Sequence, residues 1–266
     1  MCLALIAQDA HPRFAVVVAA NRDEHHARPT AAAAWWPEGI LAGRDLEAGG
    51  TWLGVTRTGR YALITNIREP DRRDPGAPSR GALVTRVLKD AVPPLASVTA
   101  IAADAAAYNG FNLLAGDTAS LAWGSNRAPA ARALARGVHG ISNAVLDAAW
   151  PKVARTKAAL AAWCARAADD LDALFAVLAD RTRTPDAELP ATGVPLDWER
   201  RLSSPFIVGE DVGYGTRSST VVTLGRDGDA RFVERTFDAA GRQVGEADFR
   251  FALASARPPH PMRGYS

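Results

Sequence analysis

Cys2 stands directly behind the first methionine, and Cys164 is the only other cysteine. Loss of Met1 to the ordinary processing aminopeptidase is easy before so small a residue. It leaves a thiol and a free α-amine on one residue. The amine titrates at about 7.7–8.0 and the thiol at about 8.5, so both are poised near neutral pH. Proton transfer between them makes a thiolate nucleophile without a histidine. The plainer reading makes Cys2 a small buried hydrophobe on an N-terminal strand, and position alone leaves both open.

Five further constellations carry candidate groups, most of them polar and at strand ends. Asn21-Arg22-Asp23-Glu24 follows the apolar run Phe14–Ala20, and such groups are expensive to bury unless they pair. It reads either as a solvated turn or as a return of Asp23 and Arg22 toward Cys2. There Asp23 would orient the ammonium, and Arg22 would hold a carboxylate or stabilise the thiolate. The segment Gly43-Arg44-Asp45-Leu46 leads into Gly49-Gly50-Thr51-Trp52-Leu53-Gly54. Its glycines permit close backbone approach, but their spacing is not that of a phosphate loop. Trp52 is either core or pocket wall. Thr65-Asn66 and Ser142-Asn143 each close a short strand, so their asparagines are turn residues or oxyanion donors. Tyr214-Gly215-Thr216-Arg217 opens a late strand, with Arg217 either solvated or a cation over the site. The five histidines show no zinc spacing.

The elements that must position these groups follow from period and punctuation. Leu3–Ala7 and Phe14–Ala20 predict an N-terminal hairpin around Asp9–Arg13. A polar stretch with Pro29 and Pro37 follows. Thr51–Thr56 and Tyr61–Ile67 predict a second hairpin, with Gly59 supplying the positive φ of its turn. Glu69–Pro78 is a loop. Ser79 is the expected cap of a helix over Arg80–Lys89 that buries Leu83, Val84, Val87 and Leu88. A second helix is expected over Ser97–Tyr108, a hairpin from Phe111–Ala115 and Ser120–Trp123, and a strand over Val138–Asn143. Trp150–Ala179 is helical, broken near Ala168–Asp170, with Leu160, Trp163, Leu171, Leu174, Phe175 and Leu178 inward. Thr182–Arg200 is a proline-rich loop. Thr216–Leu224, Ala230–Phe237 and Glu246–Phe251 are closing strands. The order gives an α+β class: one domain over residues 1–256, two sheets packed together with helices outside, and a mobile tail over 257–266.

Composition bounds the partners. The 266 residues are 48% hydrophobic with a formal charge of +2, which argues for no nucleic-acid or anionic-membrane partner. No stretch has the length of a membrane span or the form of an export signal. Two cysteines fit a reducing compartment, so the expectation is a cytoplasmic protein that takes a small-molecule substrate or ligand.

Taken in order, Met1-Cys2, the Asn21–Glu24 tetrapeptide, Gly43–Leu46, Gly49–Gly54, Thr65-Asn66 and Tyr214–Arg217 resemble the NRDE family, also called the transport-and-Golgi-organisation protein 2 family. That family is similar to the N-terminal nucleophile hydrolases, above all their cysteine branch with penicillin V acylase and bile salt hydrolase. The resemblance implies a four-layer αββα sandwich. It implies Cys2 as nucleophile, Asp23 as holder of the α-amine, Asn66 as oxyanion donor, Asn143 as second asparagine and Arg217 as late active-site arginine. Arg22, Arg44 and Trp52 are then substrate-binding. One departure stands out: the acylases place an arginine just before the strand-exit asparagine, where this chain has Ala20, and Arg22 follows it instead. Displaced along the strand in this way, Arg22 reaches the thiol by another path or points away. The implied activity is hydrolysis of a linear, non-peptide amide with no required cofactor. The alternative is binding or trafficking of haem, lipid or acyl-CoA on the same scaffold.

Overall fold

The computed structural model describes residues 2–254, apart from the side chain of Cys2. The removal of Met1 and the expected tail over 257–266 lie outside the described residues. Thirteen described strands form two antiparallel sheets. The first sheet holds β1 (Cys2–Gln8), β2 (Phe14–His25), β10 (Gly137–Ile141), β11 (Tyr214–Gly225), β12 (Asp229–Phe237) and β13 (Gln243–Ala252), in the order β10-β1-β2-β11-β12-β13. The second runs β3 (Thr30–Trp35), β4 (Ile40–Asp45), β5 (Leu53–Thr56), β6 (Tyr61–Asn66), β7 (Phe111–Gly116), β8 (Leu121–Ser125) and β9 (Arg132–Ala133), in chain order.

Period-2 alternation sorts the side chains into three apolar layers. Ala4, Ile6, Val16 and Val18 of the first sheet pack with Leu41, Val55, Leu63 and Leu114 of the second. Their neighbours Leu3, Leu5, Val17 and Ala19 face the other way, onto Leu160 and Trp163 of α3 (Pro151–Ala165) and Leu174 and Phe175 of α4 (Leu171–Leu178). On the second sheet, Ile40, Ala62, Ile64 and Leu113 pack with Leu83, Val84, Val87 and Leu88 of α1 (Gly81–Lys89) and with Val98 and Ile101 of α2 (Pro94–Ala103). The inward faces expected for the first helix and for the long helical region are all buried. Gly59 turns the β5–β6 hairpin at φ 79°.

Several boundaries differ from expectation. β2 does not end at Ala20: it runs on through Asn21-Arg22-Asp23-Glu24, because β1 pairs it on one side and β11 on the other. The polar stretch with Pro29 and Pro37 contains the β3–β4 hairpin. Ser79 does not cap α1; Arg80 holds that position without a side-chain cap bond. α2 starts at Pro94, where a missing N–H costs nothing, and stops at Ala103. β10 ends at Ile141, so Ser142 and Asn143 lie just past it. The expected loop Thr182–Arg200 contains most of α5 (Leu196–Leu202), which begins directly after Pro195. Among the described residues no helix is long and apolar enough to cross a membrane.

Candidate functional site

The two sheets open at one end into a cleft of about 700 Å³, walled by Arg22, Asp23, Trp52, Asn66 and Arg68 among others. The backbone of Cys2, at the start of β1, pairs with that of Arg22, which lines the cleft. Continued alternation along β2 decides where the tetrapeptide points. Arg22 extends the row of Val18 and Ala20 that faces the second sheet, and its guanidinium lies 4.4 Å from the Trp52 ring centroid. Its Nη1 donates to the Thr30 hydroxyl at 3.1 Å. Asn21 extends the opposite row, donating to the carbonyls of Leu178 and Pro205. Ala20 and Arg22 are two residues apart and share a face of the strand, so the displaced arginine keeps to the side of the second sheet and lies on Trp52.

Asp23 is 1% exposed and pairs with Thr216 across β2 and β11. Its Oδ1 accepts from the Thr216 hydroxyl at 2.7 Å, and its backbone carbonyl accepts from the Tyr214 hydroxyl. Burial pushes its carboxyl upward, opposed by the chain's amino terminus, then by Lys152 and the Thr216 bond. For Glu24 the balance goes the other way. Burial again works against the charge, but the chain's amino terminus, the His25 N–H, Arg22 and Arg28 together hold its carboxyl below the ordinary value. Arg28 is itself bridged to Asp45 at 2.8 Å and Glu47 at 2.9 Å.

Asn66 and Asn143 come together although they are 77 residues apart. The Asn143 amide donates to the Asn66 carbonyl at 2.8 Å, and the Arg68 N–H returns a bond to the Asn143 carbonyl at 2.8 Å. These reciprocal bonds splice the end of β6 in one sheet to the end of β10 in the other. Asn143 is buried behind the wall, and Asn66 lines the cleft. Arg68 continues the splice into a buried ion pair with Glu199 of α5, at 2.6 Å. Desolvation lowers the Arg68 guanidinium's affinity for its proton, and Glu199, Tyr214 and Asp23 oppose that loss.

Of the other expected residues, Trp52 lines the cleft, whereas Arg44 and Arg217 do not. Arg217 falls at a register shift in the β2–β11 pairing, between Thr216 and Ser218. A bulge of this kind re-aims a side chain. The guanidinium donates to the carbonyls of His25 and Arg28 and clamps the chain leaving β2. Arg44 stacks over Trp36 and donates to the Gly49 carbonyl. Trp52 sits between Arg22 and Gly43, where a Cβ would fall 2.4 Å from the ring. Sequence reasoning passed over Arg68, Lys152 and Glu199. The one available signal was the rarity of lysine in this chain. Cys164 is buried, and its thiol is pushed up to about 11, which leaves it inert as a nucleophile. Among the described residues no three His, Cys, Asp or Glu side chains converge as metal ligands.

The fold and cleft define a two-sheet protein, covered by helices, whose N-terminal strand leads into a polar cleft. Residues 1–239 match the family Transport and Golgi organisation 2. The human Transport and Golgi organization protein 2 homolog is 32% identical over 257 residues, covering 89% of this chain and 93% of that protein. The Drosophila melanogaster Transport and Golgi organization protein 2 is 28% identical over 264 residues, covering 89% and 92%. The chain belongs to the Transport and Golgi organisation 2 family. Among solved structures it is similar to a conjugated bile acid hydrolase from Clostridium perfringens, with 9% identity, a TM-score of 0.48 and coverage of 97% of this chain and 99% of that one.

Proposed function

We propose that this chain is an N-terminal-cysteine hydrolase of the αββα type that cleaves a linear, non-peptide amide through a thioester on Cys2. The observation that carries the reading is the register of β1, β2 and β11. It pairs Cys2 with Arg22, the residue before the buried carboxylate Asp23, and Arg22 and Asp23 line one cleft with Asn66.

In this reading the Cys2 thiol gives its proton to its own α-amine, and the thiolate attacks the amide carbonyl. The Asn66 amide and a backbone N–H hold the oxyanion. As the C–N bond breaks, the α-ammonium passes its proton to the leaving amine, and an acyl thioester remains. Water then gives a proton to the α-amine and attacks the thioester carbonyl. The C–S bond breaks, the thiol recovers its proton and the acid leaves. Asp23 holds the α-ammonium, and the Asn143 and Arg68 bonds keep Asn66 in place. The wall carries charges of both signs, including Arg22, Arg28, Glu24 and Glu47. This suits a polar amide better than a flat apolar macrocycle or a lipid chain.

The test is an intact mass spectrum before and after exposure to an acylating amide or thioester probe. Loss of Met1 and one adduct, absent in Cys2→Ala, is the expected result. Retention of Met1 by the purified protein would sink the proposal and turn attention to haem or acyl-CoA binding in the same cleft.

A further inference from the structure

A guanidinium buried in a cleft wall calls for a counter-charge, because one neutral acceptor does not make up for its lost hydration. Two arginines of the cleft have theirs. Arg28 is bridged to Asp45 at 2.8 Å and Glu47 at 2.9 Å, and Arg68 to Glu199 at 2.6 Å. Arg73, also on the wall, is exposed and solvated by water. Arg22 differs from all three. It lines the cleft at 5% exposure, and among the described residues no carboxylate lies within ion-pair distance of it.

Its surroundings satisfy it only in part. The Thr30 hydroxyl accepts from Nη1 at 3.1 Å, and the Trp52 ring centroid lies 4.4 Å from the guanidinium carbon. A hydroxyl and an indole face attract a cation without cancelling its charge. Nε and Nη2 meet no acceptor among the described residues, yet neither is sealed from solvent. The two acids whose charge reaches Arg22 are Glu24 and Glu234. Both are engaged elsewhere: Glu24 accepts from the His25 N–H at 2.9 Å, and Glu234 from the Ala33 N–H at 2.8 Å.

This cation stands next to the start of the chain. Arg22 is the partner of Cys2 across β1 and β2, and directly opposed residues have Cα atoms about 4.5–5.5 Å apart. Asn66 lines the same cleft. Two N–H groups left open on one guanidinium match the two oxygens of a carboxylate.

We propose that Arg22 anchors a carboxylate of the substrate, so that the amides this cleft takes are acidic ones, with the carboxylate a few bonds from the scissile carbonyl. An N-acyl amino acid carries it on the amine side, and the monoamide of a dicarboxylic acid carries it on the acyl side. The place of the scissile bond rests on the proposed hydrolase function. The carboxylate site rests on the burial and contacts of Arg22.

Binding tests the anchor without turnover. The whole chain carrying Cys2→Ala is titrated calorimetrically with N-hexanoylglycine, with adipic acid monoamide and with the uncharged methyl ester of each. At least one acid should bind about tenfold or more tighter than its ester. Which acid does so separates the amine side from the acyl side. Arg22→Gln should bring acid and ester within about twofold of each other, and Arg22→Lys should keep part of the preference. Acids bound no tighter than their esters overturn the proposal, and that comparison needs no Arg22 variant to fold. A preference that survives in folded Arg22→Gln, or that is lost equally in Arg28→Gln, overturns it as well. Turnover by the unsubstituted chain separates the two readings. Amide cleavage with equal kcat/KM for acid and ester keeps the hydrolase and removes the anchor. Acid-selective binding that depends on Arg22, with no cleavage of either amide, keeps the anchor and counts against the hydrolase.

Discussion

Arg22 is committed by the row it occupies. Its neighbours Asn21 and Asp23 turn toward the helices and find carbonyl and hydroxyl partners there. Arg22 turns toward the second sheet, is 5% exposed and lies over the Trp52 ring. A desolvated guanidinium on an indole face is worth roughly 1–2 kcal/mol. A double-mutant cycle of Arg22→Met and Trp52→Leu, read by urea unfolding, should give a coupling of about 1–2 kcal/mol. Additive effects would show that the ring does not hold the guanidinium.

The glycine-rich segment acts through the element it admits. A Cβ on Gly50 would lie 2.5 Å from the carbonyl carbon of Gly81, the first residue of α1. Both partners are backbone, so no rotamer change relieves the contact. Gly50→Ala should force α1 outward and lower stability by about 1–3 kcal/mol, measured by thermal unfolding. Strand and helix boundaries show the same dominance of neighbours over propensity. β3 reads Thr-Ala-Ala-Ala-Ala-Trp, a poor strand sequence on intrinsic preference. It is held by β4, by the Glu234 carboxylate on the Ala33 N–H and by Trp35 against Phe251. Asn21–Glu24 is a poor strand sequence too, yet β11 pairs all four residues and β1 pairs the first two.

At the scale of the molecule, buried polar bonds lock the two sheets together. The Tyr61 hydroxyl on β6 donates to Gln8 on β1 at 2.9 Å, and Glu234 on β12 accepts from Ala33 on β3 at 2.8 Å. Burial pushes the Glu234 carboxyl up to about 7, against the pull of the Ala33 N–H, Thr220 and Arg22. The unfolded chain ionises this group at about 4.3. The folded state therefore binds the extra proton between those values, and its stability falls as pH rises through that window. Glu234→Gln removes the linkage. Relative to wild type it should gain on the order of 3 kcal/mol between pH 4 and pH 8, read from paired urea titrations. A constant difference across that range would show that Glu234 does not titrate there.

The sequence by itself determined the order of the motifs, the family they mark and most of the periodic elements, including the buried faces of α1, α3 and α4. These are local properties: an apolar stripe at helical spacing or an alternating strand carries its signal within one stretch of chain. It also supplied Cys2, Asp23, Asn66 and Asn143 as candidates from residue types at strand ends. Only the tertiary structure decided where Arg22 points, that Arg217 clamps the chain leaving β2 and that Asn143 is bonded to Asn66. It alone set Lys152 and Glu199 behind the cleft, and Glu234 against Ala33, 201 residues away. Burial of a charge is a property of what packs around it, and each of these charges is buried by segments distant in the chain.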